Sequence, residues 1–272
     1  MDTVGELLRQ WRHRRHRSQL DLALAADVSA RHVSLVETGK TRPSAEMVLR
    51  LAEQLDVPLR ERNRLLLAAG FAPRYAERPL DSDALAAAHG ALVRVLHAHE
   101  PYPAMVFDRR WNIVLANRAV DAFLTGVAPE LVRPPVNMVR LALDPRGFAG
   151  NIVNLADVRS VLRARISRQL AAAPDPELAA LYERYLAPVG PDDDGARISS
   201  DVLTPMLFRF GAAELRLFST ITTFGTPLDI TLDEVSIESY YPADDETAAH
   251  FATGTLQHPS PTGASPPRGS GQ

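Results

Sequence analysis

The chain has 272 residues, of which 46% are hydrophobic, 23% charged and 6% aromatic, the usual composition of a globular protein of one or two domains. It contains no cysteine, which excludes disulfide bonds, thiolate zinc sites and a cysteine nucleophile. No apolar run reaches the roughly 18 residues that span a bilayer, and the N-terminus lacks a signal-peptide pattern. We therefore expect a cytoplasmic protein with no membrane partner.

The formal net charge of −3 excludes a general polycation, but the charge is unevenly distributed. Residues 1–70 contain twelve Lys or Arg and nine Asp or Glu, while the rest of the chain contains eighteen and twenty-four. The N-terminal part is therefore the candidate for binding an anionic partner.

Five short amphipathic helices are predicted in the first 70 residues. Apolar residues recur at helical spacing from Val4 to Arg15, and Thr3 with Glu6 has the spacing of a capping box. The second pattern stops near Asp27, which leaves only a tight turn before the third helix. Serines open helices two to four at Ser18, Ser29 and Ser44, the fifth helix follows Pro58, and glycines end the third and fifth at Gly39 and Gly70.

The second half of the chain predicts strands and helices in an α+β order. A helix over 84–99 follows a linker, and further helices are predicted over 117–125 and over 155–187, the latter broken near Pro174. Strands are predicted as a hairpin over 104–107 and 111–116, and as three segments over 203–210, 214–223 and 229–241.

Two segments of the second half are predicted to lack regular structure. Asp192 to Gly195 is predicted to be a solvated loop. The residues that end the chain, 251–272, are predicted to be a disordered tail because they are rich in Pro, Gly and Ser.

The second and third helices carry a specific spacing of apolar and polar residues. This pattern resembles the helix-turn-helix of the phage-repressor-like XRE family, over nearly all of residues 4–70. The residues that carry the resemblance are Ser18, Gln19, Leu22, Ala23, Val28, Ser29, Val33, Ser34, Val36, Glu37, Gly39 and Lys40.

The resemblance implies that the third helix places its N-terminal residues against base edges in the major groove of double-stranded DNA. Arg31 is the candidate base reader, because a guanidinium that pairs with O6 and N7 of guanine discriminates by roughly 1–3 kcal/mol. Ala30 can contact only a thymine methyl group. The other candidate DNA-contacting residues are Gln19 at the start of helix two, Ser29, His32 and Ser34 on helix three, and Lys40, Thr41 and Arg42 behind it, where they would meet phosphate.

Several alternatives stay open for this module. Leu35 stands where the family often has a polar base-contacting residue, so either it contacts thymine or readout there is lost. Glu37 is most simply a helix-stabilising partner of a nearby cation. A five-helix module without DNA binding is the alternative function, and homodimerisation is expected because such modules usually bind paired half-sites. One basic group is either a solvated face or a neighbour of the DNA backbone: Arg9, Arg12, Arg14, Arg15 and Arg17.

A second resemblance extends from about Pro101 to Tyr241. The segments 107–119, 134–145 and 151–156 are similar to the MmyB-type ligand-binding domain, which follows XRE modules in actinobacterial regulators. This resemblance implies a PAS-like domain, in which helices pack over one face of an antiparallel sheet and leave an apolar cavity. The ligand it implies is a small apolar or fatty-acid-like molecule.

Together the two resemblances imply a multidomain fold. An all-α, five-helix, λ-repressor-like DNA-binding domain is expected over 1–70, and a linker with a connecting helix over 71–100. An α+β, PAS-like ligand-binding domain with an antiparallel sheet is expected over 101–250.

A small-molecule cavity needs apolar walls and a few oriented polar groups. Each candidate wall residue can equally be core, each candidate asparagine can anchor nearby backbone, and Arg140 can hold a carboxylate head group or form a structural salt bridge. The candidate walls are Trp111, Phe123, Met138, Phe148, Phe208, Phe210, Phe218 and Phe224. The candidate polar groups are Asn117, Asn137, Arg140, Asn151 and Asn154.

Catalytic, metal and cofactor sites are not predicted. The chain has no GxSxG elbow, HExxH helix or glycine-rich phosphate loop. His97 and His99 come nearest to a metal motif, but residues two apart on a helix point to different faces.

The favoured function is a transcription regulator in which ligand binding and DNA binding are thermodynamically linked, with residues 72–99 transmitting the change. One alternative gives the second domain no ligand and only a dimerisation or partner-docking role. An alternative of another class is a DNA-tethered enzyme acting on an acyl metabolite, which turnover assays would separate from both.

Overall fold

The computed structural model describes residues 2–187 and 205–252 of the chain. These residues form an N-terminal helical domain and a C-terminal α+β domain, joined by a connecting segment. The two-domain fold class expected from the sequence is confirmed. The predicted loop over Asp192–Gly195 and the predicted tail beyond residue 252 lie outside the described residues.

The N-terminal domain has five helices, and each of the first four begins behind a hydroxyl side chain. Thr3, Ser18, Ser29 and Ser44 each accept a hydrogen bond from the backbone amide three residues on, which satisfies one otherwise unpaired donor of the first turn. The predicted starts are confirmed, and the ends differ by one or two residues. The helices are α1 (Val4–Arg14), α2 (Gln19–Ala25), α3 (Ala30–Glu37), α4 (Ala45–Gln54) and α5 (Leu59–Ala68).

The five helices share one apolar core, in which Leu22, Val33 and Leu51 are almost completely buried. Burying one such side chain stabilises the fold by roughly 1.5–3 kcal/mol. Gly5 lets α1 approach the end of α3, because a Cβ at this position would lie 2.4 Å from the backbone oxygen of Val36. The small core therefore depends on contacts among all its helices.

The connecting segment lies along the second domain before it becomes helical. Ala76 forms a β-bridge with Asp229, and the Asp229 carboxylate also forms an ion pair with Arg78 at 2.9 Å. A 3-10 turn over Asp83–Leu85 leads into α6 (Ala86–Ala98), which agrees with the helix predicted there.

The C-terminal domain is built on a five-stranded antiparallel sheet with the strand order β2-β1-β5-β4-β3. The hairpin and the last three predicted strand segments all contribute strands. The strands are β1 (Ala104–Phe107), β2 (Ile113–Ala116), β3 (Met206–Phe210), β4 (Ala213–Thr223) and β5 (Ser236–Pro242).

Helices cover both faces of this sheet. Because side chains alternate along a strand, Met105 and Phe107 of β1 face one side and Ala104 and Val106 face the other. The first pair belongs to the main core beneath five helices, whereas the second pair packs against α6. The expectation that helices lie over one face was thus incomplete. The helices of the main core are α7 (Ala119–Leu124), α8 (Met138–Leu143), α9 (Leu155–Ala172), α10 (Pro176–Tyr185) and α12 (Asp245–Ala252).

Three local predictions were wrong. The strand predicted over 229–241 begins as a helix, α11 (Ile230–Glu234), because the Asp229 side chain caps it by accepting a hydrogen bond from the Thr231 amide. The tail predicted from residue 251 is still helical at its start, since α12 (Asp245–Ala252) buries Phe251 in the main core. Trp111 is not part of β2, because its φ of 66° is left-handed and belongs to the turn.

Candidate DNA-binding surface and ligand cavity

The third helix is positioned by its cap and by its apolar face. The Ser29 hydroxyl accepts from the His32 amide, while Val33 and Val36 are each only 1% exposed against α2 and its neighbours. This orientation leaves Arg31 exposed at the first turn, with Ser29 also exposed and Ala30 partly packed on the core. The first turn of α3 therefore presents Arg31 to solvent, which is the geometry that base reading requires.

A buried ion pair holds α1 against α3. The Arg12 guanidinium donates to both carboxylate oxygens of Glu37, with Nε 2.7 Å from Oε1 and Nη2 2.9 Å from Oε2. Gln19, the first residue of α2, donates to Oε2 at 2.8 Å. Burial by itself raises the pKa of Glu37, but hydrogen bonds from Arg12 and Gln19 outweigh it, so the pKa lies below its usual range. Glu37 thus links three helices, which extends its expected role as a helix-stabilising partner.

Several arginines of the N-terminal domain serve its fold. Arg12 is buried with Glu37, and Arg15 donates to the backbone oxygens of Leu55 and Asp56. Arg42, a predicted phosphate contact, donates through Nε and Nη2 to the backbone oxygen of Ala69 at the end of α5. Arg12 is therefore a buried structural residue and not part of a solvated face.

The other predicted DNA-contacting residues lie on or beside α3. Lys40 is fully on the surface directly after the helix, and Thr41 is half-buried. His32, Ser34 and Leu35 are half-buried along the helix. Together with Arg31 these residues form one continuous surface at α3, which we call the recognition surface.

The C-terminal domain contains a small apolar cavity of about 40 Å³ between the sheet and its helices. Four of the predicted wall residues, Phe123, Met138, Phe148 and Phe208, line it. Phe210 lies behind this wall, with its ring centre 5.3 Å from that of Phe123. Phe224 instead belongs to the layer beneath α6, so its prediction as a wall of this cavity was wrong.

A second cavity of about 90 Å³ adjoins the apolar one and has a polar end. The predicted residues Trp111, Met138 and Phe218 border it. The two cavities share the walls formed by Met138, Met206, Leu217 and Tyr240. The two cavities are therefore direct neighbours, apolar on one side and polar on the other.

The polar end of the second cavity was missed by the sequence analysis. Arg165 of α9 pairs with Glu238 of β5, with Nη1 3.2 Å from Oε1. Ser219 donates to the same oxygen at 2.7 Å. Arg165 also stacks over the Trp111 ring at 4.4 Å. Burial, followed by the nearby Glu238 charge, raises the pKa of Tyr240 well above its usual value, so it is a neutral phenol at pH 7.

The predicted polar groups of the cavity are anchors of the fold instead. Each donates its side-chain amide to a backbone oxygen at 2.8–3.2 Å: Asn117, Asn137, Asn151 and Asn154. In three of them the side-chain oxygen also accepts a backbone amide. Arg140 is half-buried on α8, and within the described residues it lines neither cavity. The four asparagines thus have the backbone-anchoring role that the sequence analysis kept open, and ligand contact by these residues and by Arg140 stays a prediction.

The two domains meet through α5 and α11. Arg60 pairs with Glu234, and the Leu59 amide donates to the Asp233 carboxylate at 3.1 Å. A cleft of about 690 Å³ lies between the domains beside these contacts. Trp111 and Arg165 line both this cleft and the second cavity. These two side chains therefore border both the second cavity and the domain boundary.

Across the described residues, no cluster of three or more His, Asp or Glu side chains that could hold a metal occurs. Residues 2–187 and 205–252 also contain no helix with the length and hydropathy of a membrane span. His97 and His99 have separate partners, Glu100 at 3.3 Å and the backbone oxygen of Tyr240 at 2.6 Å.

A helix-turn-helix domain with an exposed recognition surface, followed by an α+β domain with a cavity between its sheet and helices, defines a two-domain regulator of transcription. Residues 8–62 match the helix-turn-helix family, and residues 88–253 match the MmyB-like transcription regulator ligand binding domain. The second match covers more than half of the chain. The protein therefore belongs to the MmyB-like transcription regulators, and both resemblances predicted from the sequence are confirmed.

Comparisons with individual proteins add little beyond the families. No curated protein matches the chain. A solved structure titled "Structure of an RNA-binding Light-Oxygen-Voltage Receptor" is 14% identical, with a TM-score of 0.29. The match covers 93% of this chain and 61% of that one.

Proposed function

We propose that the protein binds a double-stranded operator through its recognition surface, with Arg31 as a base-reading residue. The observation that carries this is the exposure of Arg31 on the first turn of α3, while Val33 and Val36 fix the opposite face in the core. Selection of duplexes from a random library, followed by footprinting, tests it. A protected, reproducible sequence is the expected result, and uniform binding to all duplexes would contradict it.

We also propose that the protein acts as a homodimer on paired half-sites. Two recognition helices related by a two-fold axis match half-sites one helical turn apart, about 34–36 Å. A palindromic selected site and a dimer mass in sedimentation are the expected results. A monomer bound to a single half-site would contradict the proposal.

The C-terminal domain is proposed to sense a small apolar or acyl ligand. The adjoining cavities support this, because one is apolar throughout and the other ends in Arg165 and Glu238. Native mass spectrometry of protein purified from its own kind of host, followed by denaturing extraction, tests it. A stoichiometric co-purifying molecule supports sensing, whereas a clean empty dimer would favour a domain used only for dimerisation or partner docking.

A regulatory role without catalysis is supported by the two matching families, which are families of transcription regulators. The enzyme alternative predicts turnover of acyl metabolites. Incubation of the purified protein with acyl amides and esters, followed by mass spectrometry of the products, separates the two. Steady hydrolysis or transfer would overturn the non-enzymatic role.

A further inference from the structure

The polar end of the second cavity is electrically balanced within the protein. Arg165 and Glu238 carry opposite charges, and Nη1 of Arg165 lies 3.2 and 3.3 Å from the two carboxylate oxygens. Glu238 is only 4% exposed, and it also accepts hydrogen bonds from the side chains of Ser219 on β4 and of Tyr240. A ligand that reaches this end therefore meets one donor group and one acceptor group whose charges already cancel.

The shared walls set the direction in which such a ligand would lie. Met138, Met206, Leu217 and Tyr240 border both cavities, so an apolar chain in the first places its other end toward Arg165 and Glu238. Methionine side chains adapt readily to chains of different length. The space accordingly suits an apolar body that ends in one polar group.

An ionised head group would be unfavourable at this end. A carboxylate would lose its hydration and bring a second negative charge close to Glu238, and both effects are costly in a buried site. A neutral amide has a carbonyl that accepts and an N–H that donates. In the described part of the chain both Arg165 contacts to Glu238 come from Nη1, which leaves the N–H groups of Nε and Nη2 for a ligand carbonyl.

We propose that the ligand is a neutral acyl derivative, such as a primary amide, rather than a free fatty acid. Its carbonyl accepts from Arg165, its N–H donates to Glu238, and its chain occupies the apolar cavity. This inference rests on the proposed sensing function, and it names the chemical class of the ligand.

Matched probes test the proposal in the full chain. Hexanamide and hexanoate have the same shape and differ in charge at pH 7, and decanamide and decanoate extend the comparison to a longer chain. Methionine methyl groups labelled with ¹³C report binding by NMR, since Met105, Met138 and Met206 line the cavities while Met47 lies in the other domain. Shifts confined to the cavity methionines, with the amide binding at least tenfold more tightly than the carboxylate, are expected.

The variant Glu238→Gln tests the charge argument directly. It keeps the shape of the side chain and leaves Arg165 as an uncompensated cation. The carboxylate probe should therefore bind to this variant at least tenfold more tightly than it binds to the wild type. Glu214→Gln, at an exposed position of β4, is the matched control and should change neither affinity.

The outcomes separate this inference from the function on which it rests. Tighter binding of the carboxylate than of the amide by the wild type would overturn the neutral ligand and leave the sensing role intact. Absence of cavity methionine shifts with all four probes would overturn the sensing role together with the inference.

Discussion

Arg60 of the DNA-binding domain and Glu234 of the ligand-binding domain form a two-point ion pair across the domain boundary. Nε lies 2.7 Å from Oε1, and Nη2 lies 2.9 Å from Oε2. Glu77 of the connecting segment also contacts Arg60. Glu234 stands four residues before Glu238, so α11 and β5 together carry both the interdomain ion pair and the polar end of the ligand cavity. We therefore propose that this ion pair links cavity occupancy to α5.

Removing this ion pair should weaken the linkage between ligand and DNA. In Arg60→Gln the guanidinium that joins the domains is lost. The ratio of operator affinities with and without ligand should therefore be about fivefold smaller than in the wild type, a factor at the low end of typical allosteric coupling. Fluorescence anisotropy of a labelled operator, with and without saturating hexanamide, measures the change.

The matched control is Arg64→Gln on the same helix. Arg64 is largely exposed and pairs only weakly, at 3.5 Å, with Glu61 of its own helix. The Arg64→Gln variant should retain the full effect of ligand on operator affinity. If Arg60→Gln shows the same effect as this control, the Arg60–Glu234 ion pair does not couple ligand binding to DNA binding.

Base reading and phosphate contact should respond differently to substitution. Arg31→Ala should weaken operator binding by roughly 1–3 kcal/mol per half-site and leave binding to a scrambled duplex nearly unchanged. Lys40→Ala should weaken both equally and lower the slope of log affinity against log salt by about 1. Titrations of both duplexes between about 50 and 200 mM salt decide this. Equal losses on the two duplexes for Arg31→Ala would remove it from base reading.

The N-terminal domain could be predicted because its determinants are local. The serine and threonine caps lie three residues from the amides they satisfy, and the buried positions repeat at helical spacing. The same locality explains one failure. At 229–234 the β-branched residues suggested a strand. The segment is helical instead, because the Asp229 side chain accepts from the Thr231 amide and caps a helix.

The cavity could not be predicted to the same depth because its polar contacts are long-range. Arg165 and Glu238 are 73 positions apart, and no local pattern pairs them. The contacts of Asn154 have the same long range, since it binds the backbone of Pro205 and Leu207 more than 50 positions away. The apolar walls were easier, because aromatic residues in strands and helices face the core regardless of their partners.

The buried pair of Arg12 and Glu37 should dominate the stability of the N-terminal domain. Glu37→Gln leaves a buried guanidinium without its charge partner, so the free energy of unfolding should fall by about 3 kcal/mol. Urea denaturation followed by far-UV circular dichroism measures it. Glu53→Gln, at an exposed position of α4, should cost less than about 0.5 kcal/mol.

The contribution of Glu37 to the free energy of unfolding should depend on pH in a definite direction. The pKa of Glu37 is lowered in the folded protein from its ordinary value of 4.5, so the unfolded state binds more protons in this range. The stability that Glu37 contributes is full above pH 4.5 and is lost as the pH falls toward the lowered value. The difference in unfolding free energy between wild type and Glu37→Gln should therefore shrink below pH 4.5. A difference that grows on acidification would contradict this sign.

Asn117 should behave as a structural residue and not as a ligand contact. It is buried, accepts from the Ala104 amide at 3.1 Å, and donates to the backbone oxygens of Leu96 and Tyr102 at 3.2 and 2.8 Å. It thereby ties the end of α6 to the start of β1. Asn117→Ala removes the acceptor of the Ala104 amide and the donor to the Tyr102 oxygen, while the Leu96 oxygen still accepts from the His99 amide. Each buried backbone group left unpaired costs about 1–3 kcal/mol. A loss of at least about 2 kcal/mol in chemical denaturation is therefore expected.

Asn151→Ala is the matched comparison, because Asn151 is exposed and its side chain makes one hydrogen bond, to the backbone oxygen of Arg209. Its loss should stay below about 1 kcal/mol, since an exposed hydrogen bond is replaced by water. At temperatures where Asn117→Ala remains folded, its affinity for hexanamide should equal that of the wild type, because its amide is directed at backbone and not at the cavity. Unchanged stability combined with lost hexanamide binding would instead place Asn117 among the residues that recognise the ligand.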